Sequence, residues 1–242
     1  IVWYYHAAKG YPQKRKIISR KGSYHGVTLA AASLTALSYA QVGFSLPLDF
    51  ALHTSWPHYF QNSHDKESEQ DFSKRLVLDL ESLIEEEGAE NIGAFIAEPV
   101  MGAGGVILPP KQYFSLIQPV LKRHSILLIA DEVICGFGRT GNMWGSETFN
   151  LHPDIITCAK GLSSAYVPIS AVIMSKAIAD GVEKQAVELG QFGHGYTYSG
   201  HPVAAAVALK TLEIMEERKI LNHVREMEGL FLERVLNLRK FD

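Results

Sequence analysis

Short apolar segments rich in β-branched residues alternate along this chain with amphipathic helical patterns, and this alternation is the strongest guide to its fold. Strands are predicted at residues 17–18, 92–97, 126–130, 155–157 and 169–174. Apolar residues recur every three or four positions within 72–87, 111–124 and 202–218, which predicts helices. The pattern predicts an α/β fold with a mostly parallel sheet covered by helices on both faces.

Two segments lie outside this alternation. Residues 38–71 are rich in His, Ser, Pro and aromatic side chains and have no clean period, which indicates a long surface excursion or a subunit contact. From Pro202 onward the pattern is helical almost to Asp242, and the chain opens at Ile1 within another helical pattern. We therefore expect a fragment of a longer protein that carries a second, smaller domain.

Composition restricts the possible functions. The 242 residues include 23 basic and 26 acidic side chains, for a net charge of -3, so we expect no broad attraction to nucleic acid or to an anionic membrane. No run reaches the roughly 18 apolar residues of a membrane span, and no secretory signal pattern is present. Cys135 and Cys158 lack metal-ligand spacing, so no metal site is expected. A reducing compartment fits, and we expect a cytoplasmic protein.

Polar residues follow three of the predicted strands, at the edge where parallel strands end and ligands collect. Glu98 follows strand 92–97, Asp131 follows strand 126–130, and Lys160 follows strand 155–157. A lysine can form a Schiff base with an aldehyde, and a carboxylate can hold a pyridinium proton, so the pair suits pyridoxal phosphate. The alternative is a strand-end cap at Asp131 and a surface charge at Lys160.

Two nucleotide-binding patterns are present only in part. An apolar strand ending in Asp131 matches the magnesium-binding strand of P-loop ATPases, but no G-x-x-x-x-G-K-[ST] run precedes it. The run GFGRTG at 136–141 has the spacing of a dinucleotide fingerprint, yet residues 131–135 separate it from the strand and no amphipathic helix follows. A nicotinamide-binding domain is therefore the second enzyme class considered.

Five segments resemble the class III aminotransferases, fold-type I pyridoxal phosphate enzymes that include ω-amino acid:pyruvate, GABA and ornithine aminotransferases. They are SYHG at 23–26, AEPV at 97–100, ADEVICGFGRTG at 130–141, AKG at 159–161 and GYTYSGHP at 195–202. The resemblance covers nearly the entire chain and is nearest to the pyruvate-using ω-aminotransferases. It implies that residues 1–242 are the large domain, which binds pyridoxal 5'-phosphate, of an enzyme that moves an amino group from an ω-amino acid or amine to a 2-oxo acid.

The resemblance also implies roles for individual residues. Lys160 would be the Schiff-base lysine and would move a proton to and from the substrate carbon. Asp131 would pair with the pyridine nitrogen, where a carboxylate favours the protonated ring. Tyr24 and Val133 would contact the two faces of the ring. His25 would either flank the ring or support the Tyr24 loop.

The resemblance implies two further site residues, Glu98 near the ring and Thr197 in the site of another subunit. Glu98 would lie near Asp131 and the ring, or would be a simple turn acceptor. Thr197 would donate a hydrogen bond to the phosphate in the partner's site, which implies a homodimer. The Ser/Gly-rich phosphate loop and the arginine that receives a substrate carboxylate are expected outside this chain.

Position 103 bears on the amino acceptor. Relatives that use 2-oxoglutarate commonly carry a glutamate five residues after the position of Glu98 and often a glutamine at the position of Ile134, whereas this chain has Ala103. Because alanine cannot accept a hydrogen bond from a guanidinium, we predict pyruvate or glyoxylate as acceptor. The alternatives are a GABA/ornithine-type enzyme that uses 2-oxoglutarate, and an inactive family member that acts as a binding protein.

Overall fold

The structure is a computed structural model that describes residues 1–241. Its strands form one six-stranded sheet in the order β2-β1-β3-β4-β5-β6. The strands are β1 (Lys16–Arg20), β2 (Ala51–Thr54), β3 (Ile92–Ala97), β4 (Leu127–Asp131), β5 (Ile155–Cys158) and β6 (Ala171–Met174). Neighbouring strands from β2 to β5 are parallel, and β6 is antiparallel to β5. The predicted mostly parallel sheet is confirmed.

Helices flank the sheet between and after the strands. They are α1 (Val2–Ala8), α2 (Leu29–Leu34), α3 (Tyr59–Asn62), α4 (Glu69–Glu87), α5 (Tyr113–Arg123), α6 (Gly145–Thr148), α7 (Lys176–Leu189), α8 (Pro202–Glu217) and α9 (Ile220–Asn237). The α4 helix shows why the sequence folds this way locally. The Ser68 hydroxyl accepts the Asp71 N–H at its start, and Gly88 ends it with φ +78°, a conformation that glycine adopts at little cost.

The two faces of the sheet are covered by separate apolar clusters, and β3 contributes to both. All six β3 residues are buried, which explains its continuous apolar run. Phe95 packs in the cluster that contains the apolar residues of α4 and α5. Ala94 and Ile96 pack in the opposite cluster, with residues of α1 and α7. Helices therefore cover both faces of the sheet.

Three sequence-based expectations need correction. Residues 38–71 contain a strand, β2, which pairs with β1; its Ala-Leu-His-Thr sequence lacks the β-branched run that would have marked it. Helix α7 was not predicted, although its first residues follow β6 directly. The long C-terminal helical pattern is interrupted at Lys219, whose φ of 50° separates α8 from α9.

Candidate active site

The carboxyl ends of the parallel strands bring three predicted residues to one edge of the sheet. Ala97 pairs with Ala130 in the β3–β4 register, so Glu98 and Asp131 follow at neighbouring strand ends. Asp131 pairs with Thr157 of β5, and Lys160 comes shortly after that strand ends. The connection after β1 carries Tyr24 and His25 to the same edge, where His25 contacts Asp131.

Asp131 is held in one orientation by two donors. Its Oδ2 lies 2.8 Å from His25 Nδ1, and the two side chains are 7% and 2% exposed. Its Oδ1 accepts the Val133 N–H at 3.1 Å. The structure therefore assigns His25 a contact that neither sequence interpretation included. A carboxylate has about four lone-pair positions, so Asp131 can still accept a further donor.

Glu98 lies in the same buried cluster and is not fully paired. Its side chain is buried and its Oε2 has no hydrogen-bond partner among the described residues. Burial raises the pKa of Glu98, while the charges of His25 and Arg20 act in the opposite direction. His25 Nε2 is also buried without a partner. Because buried polar atoms are rarely left unpaired, these two atoms mark a place for a polar group from outside the chain.

Lys160 occupies a strained turn at the end of β5. It begins the short 3₁₀ helix Lys160–Ser163 with a φ of 41°, a left-handed conformation that is costly for a side chain with a Cβ. Its side chain is exposed, and its amine forms no hydrogen bond or ion pair within residues 1–241. A Cβ on Gly161 would lie 2.9 Å from Phe137 Cβ, so only glycine lets this turn approach the 136–141 run.

Glu132 is a residue whose structural role the sequence reasoning missed. It is completely buried next to Asp131 and accepts the N–H groups of Gly145 at 2.9 Å and Ser146 at 2.7 Å, together with the Ser146 hydroxyl. These bonds fix the loop that follows Asp131. The signal was present in the adjacent Asp-Glu pair, but the loop partners lie more than ten positions away.

The glycine run at 136–141 forms turns rather than the start of a helix. Gly138 and Gly141 adopt φ values of +91° and +84° and lie against residues of α9. The neighbouring Cys135 is buried, and burial raises the pKa of its thiol to about 11. The thiol therefore stays protonated at neutral pH and is a poor nucleophile.

The structure does not bring Thr197 into the buried cluster. Every residue from 191 to 200 is exposed, including Thr197, and the Thr197 hydroxyl has no hydrogen bond within the described part of the chain. In residues 1–241 no group of three or more His, Cys, Asp or Glu side chains has the arrangement of a metal site. Of the helices described, none combines the length and apolar character needed to cross a membrane.

Comparison with known proteins identifies the family. The class-III aminotransferase model matches residues 1–242. Gamma aminobutyrate transaminase 1 of Solanum lycopersicum, a mitochondrial protein, is 53% identical over 233 residues, which is 96% of this chain and 45% of the relative. A transaminase solved with L-ala is 51% identical and has a TM-score of 0.96. The match covers 98% of this chain and 56% of the transaminase chain. The omega transaminase from Pseudomonas jessenii in complex with PMP is 52% identical and has a TM-score of 0.93. The match covers 95% of this chain and 51% of the omega transaminase chain.

The chain belongs to the class III aminotransferase family, and its sheet is that of the fold-type I enzymes. Members of this family use pyridoxal phosphate, so the predicted family, fold and cofactor class are confirmed. The chain spans about half the length of the curated relatives it matches.

The expectation of a cytoplasmic protein is wrong. Relatives at 53% identity from Solanum lycopersicum are mitochondrial or chloroplastic by name. The expectation rested on two thiols and on a missing secretory signal. Neither observation distinguishes the cytosol from the interior of an organelle.

Proposed function

We propose that the protein transfers an amino group from an ω-amino acid or amine to a 2-oxo acid with the aid of pyridoxal 5'-phosphate. The observation that supports this most directly is the buried Asp131 carboxylate, which His25 and the Val133 N–H hold in place at the strand ends. A fixed carboxylate with spare acceptor capacity suits the protonated nitrogen of a pyridine ring. The unpaired polar atoms of His25 and Glu98 beside it also suit a bound polar group.

When bound, pyridoxal phosphate supplies an aldehyde that takes up amino groups and a ring that accepts an electron pair. Lys160 holds the cofactor and then moves a proton to and from the substrate carbon with its Nζ. The exposed position of this amine, without a partner in the described residues, leaves it free to swing. Asp131 keeps the ring nitrogen protonated, which serves the transition state more than cofactor retention.

The remaining predicted residues position the ring. Tyr24, which is half-buried beside His25, would contact the ring together with Val133. His25 positions Asp131 through its Nδ1 hydrogen bond, and Glu98 would lie near Asp131 and the ring. Residues 1–242 are thus the cofactor-binding large domain.

We infer that the active protein is a homodimer in which Thr197 binds the phosphate in the partner's site. The exposed stretch 191–200 supports this, because it presents Tyr196 and Tyr198 to solvent at 78% and 80% exposure next to Thr197. Aromatic side chains exposed to this degree are typical of a surface that is covered in an assembly. A two-fold dimer would complete two sites at once.

We propose pyruvate or glyoxylate as the acceptor. Ala103 is exposed in the tight turn between Met101 and Ile107, which pair with each other, so position 103 offers no hydrogen-bond acceptor to a guanidinium. The transaminase solved with L-ala supports a site that accommodates the product of pyruvate amination. Steady-state assays with one good amine donor decide between acceptors. A higher kcat/KM for 2-oxoglutarate than for pyruvate would overturn this assignment.

The central test is Lys160→Ala in the full-length protein. We expect turnover to be lost while some cofactor remains bound, because only the covalent link and the mobile base are removed. Borohydride should fix the cofactor to the peptide that contains Lys160 in the unmodified protein and not in the variant. Lys176→Ala, which removes an exposed lysine paired with Asp180, is the matched control and should keep its activity. Sustained multiple turnover by Lys160→Ala would refute the proposed function.

A further inference from the structure

Arg20 is a buried charge that the proposed reaction does not yet use. It is the last residue of β1, its side chain is 1% exposed, and it is the only arginine buried in the part of the chain that the structure describes. Its Nη2 donates to the Glu98 main-chain oxygen at 2.6 Å. Its guanidinium carbon lies 5.9 Å and 5.8 Å from the ring centroids of Tyr113 and Phe114. A guanidinium buried between aromatic rings is costly unless negative charge balances it.

Of the charged groups that surround Glu98, Arg20 is the one that is always positive. Asp131 adds a second negative charge nearby, and His25 is positive only when protonated. The Tyr113 hydroxyl beside Arg20 and the Cys135 thiol near Glu98 both have pKa values raised by burial, so both stay neutral. The Tyr24 N–H also faces the Glu98 carboxyl group.

Two unpaired atoms complete the pattern. Arg20 Nε is a buried donor without a partner, and Glu98 Oε2 is a buried acceptor without one. They belong to residues that are already joined by the Nη2 hydrogen bond. A guanidinium fork and a carboxylate are complementary groups, so the two residues are suited to balance each other's charge.

We propose that Arg20 is a positioning residue of the transamination site: the hydrogen bond from its Nη2 fixes the Glu98 main chain, and its buried charge balances the Glu98 carboxylate beside the His25–Asp131 pair. The role rests on the proposed function, since it concerns how Asp131 is presented to the cofactor. The contacts of Arg20 in the structure are with the Glu98 main chain and with the rings of Tyr113 and Phe114. A neutral residue at position 20 leaves Glu98 to take up a proton, because burial and the charge of Asp131 both oppose a second carboxylate there. His25 then loses its anionic neighbour.

The test uses full-length protein with Arg20→Met, Arg20→Lys, Glu98→Gln and the Arg20→Met/Glu98→Gln double variant. Infrared difference spectra of the cofactor-free proteins at neutral pH report the C=O stretch of a protonated carboxyl group. We expect this band to appear in Arg20→Met, to be absent in the unmodified protein and in Arg20→Lys, and to disappear from the double variant. A folded Arg20→Met without the band overturns the proposal.

Kinetics of the cofactor-loaded proteins provide the second readout. Loss of a buried charge interaction beside Asp131 lowers kcat by roughly 10- to 100-fold, so we expect that range for both Arg20→Met and Glu98→Gln. The double variant should be no slower than the worse single variant, because both changes act on the same carboxyl group, and Arg20→Lys should recover most of the rate. Losses that multiply in the double variant would contradict the proposal.

Two features keep the test decisive. If Arg20→Met does not fold, the Arg20→Lys/Glu98→Gln double variant replaces it. A kcat tenfold or more below that of Glu98→Gln alone would overturn the proposal, because no carboxylate remains at position 98 for Arg20 to balance. The infrared readout needs no cofactor. It therefore separates failure of the Arg20 role from failure of the proposed function, which would show as absence of cofactor binding in the unmodified protein.

Discussion

The two ends of the sheet both bury charge, but only one of them pairs it completely. At the amino ends, Lys14 is 7% exposed, and the three N–H groups of its ammonium are shared among four main-chain oxygens that lie 2.9 to 3.2 Å from Nζ. The acceptors belong to Ala89, Ile92, His124 and Ser125. At the carboxyl ends, Arg20, His25 and Glu98 each keep a buried polar atom without a partner.

This difference separates a structural polar centre from a functional one. Lys14 ties the turn before β3 to the turn before β4, and nothing outside the chain is needed to satisfy it. The carboxyl-end cluster is incomplete within the described residues, although its central carboxylate, Asp131, is firmly held. Unpaired buried polar atoms weaken a fold, and those of His25 and Glu98 lie in the cluster around Asp131, where a bound polar group would pair with them.

The largest effect that would sharpen this comparison is expected from Asp131→Asn. The variant keeps the shape and removes the charge at the carboxyl end of β4. Breaking a buried charge pair costs about 3–5 kcal/mol, which corresponds to a fall in kcat of roughly 100- to several-thousand-fold with the fold intact. Single-turnover and steady-state rates of the full-length protein measure it.

The control for this variant lies at the other end of the same strand. Asp154 Oδ2 accepts the Leu128 N–H at 2.8 Å, at the amino end of β4. Asp154→Asn retains a side-chain oxygen that can accept this bond, so its rate should stay within about twofold of the unmodified protein. Near-normal turnover by Asp131→Asn would show that the charge at this strand end is not used in catalysis.

Position at a strand end made part of the site predictable from sequence. Asp131, Glu98 and Lys160 each follow a strongly apolar run, and parallel strands bring such residues to one edge. Helix α4 was equally clear, because its period and its Gly88 stop agree.

Other features depend on contacts that no local pattern encodes. No local pattern marks Arg20 or Glu132 as buried, yet both are, and main-chain groups distant in sequence are their partners. Strand β2 was missed since its pairing with β1, rather than its own side chains, makes it a strand. Thr197 remains a prediction, because its proposed partner is another subunit.

Lys14→Met tests the amino end of the sheet. Methionine has a similar length but cannot donate, so four main-chain oxygens lose their shared partner. We expect the free energy of unfolding to fall by about 2–4 kcal/mol, while kcat measured well below the melting temperature stays within about twofold. Lys9→Met, which changes an exposed lysine near the Tyr5 ring, is the control and should lose less than about 1 kcal/mol. A loss of rate as large as that of Asp131→Asn would break the distinction between the two ends.

The smallest effect is expected at the partly buried Arg75–Glu67 pair, which lies outside the proposed active site. Arg75 donates from Nε and Nη2 to the two Glu67 carboxylate oxygens, at 2.8 Å each, and this pairing lowers the pKa of Glu67 to about 2. The pKa of Glu67 is thus lower in the folded than in the unfolded protein, where it is near 4.5. Its contribution to stability is therefore fully present above pH 4.5 and is lost as the pH falls toward 2.

Glu67→Gln removes that pH-dependent contribution. We expect the melting temperature of the variant to lie slightly below that of the unmodified protein at pH 6, and the difference to shrink steadily as the pH is lowered below 4.5. The control is Glu85→Gln, which removes an exposed carboxylate with no hydrogen bond in the described residues. Added salt should weaken the Glu67 effect only in part, because the pair is partly buried and partly buried pairs are screened less than exposed ones. If the difference in melting temperature between Glu67→Gln and the unmodified protein grew as the pH fell, the assigned direction of the Glu67 pKa shift would be wrong. The pair could then no longer serve as the reference for the two buried ends of the sheet.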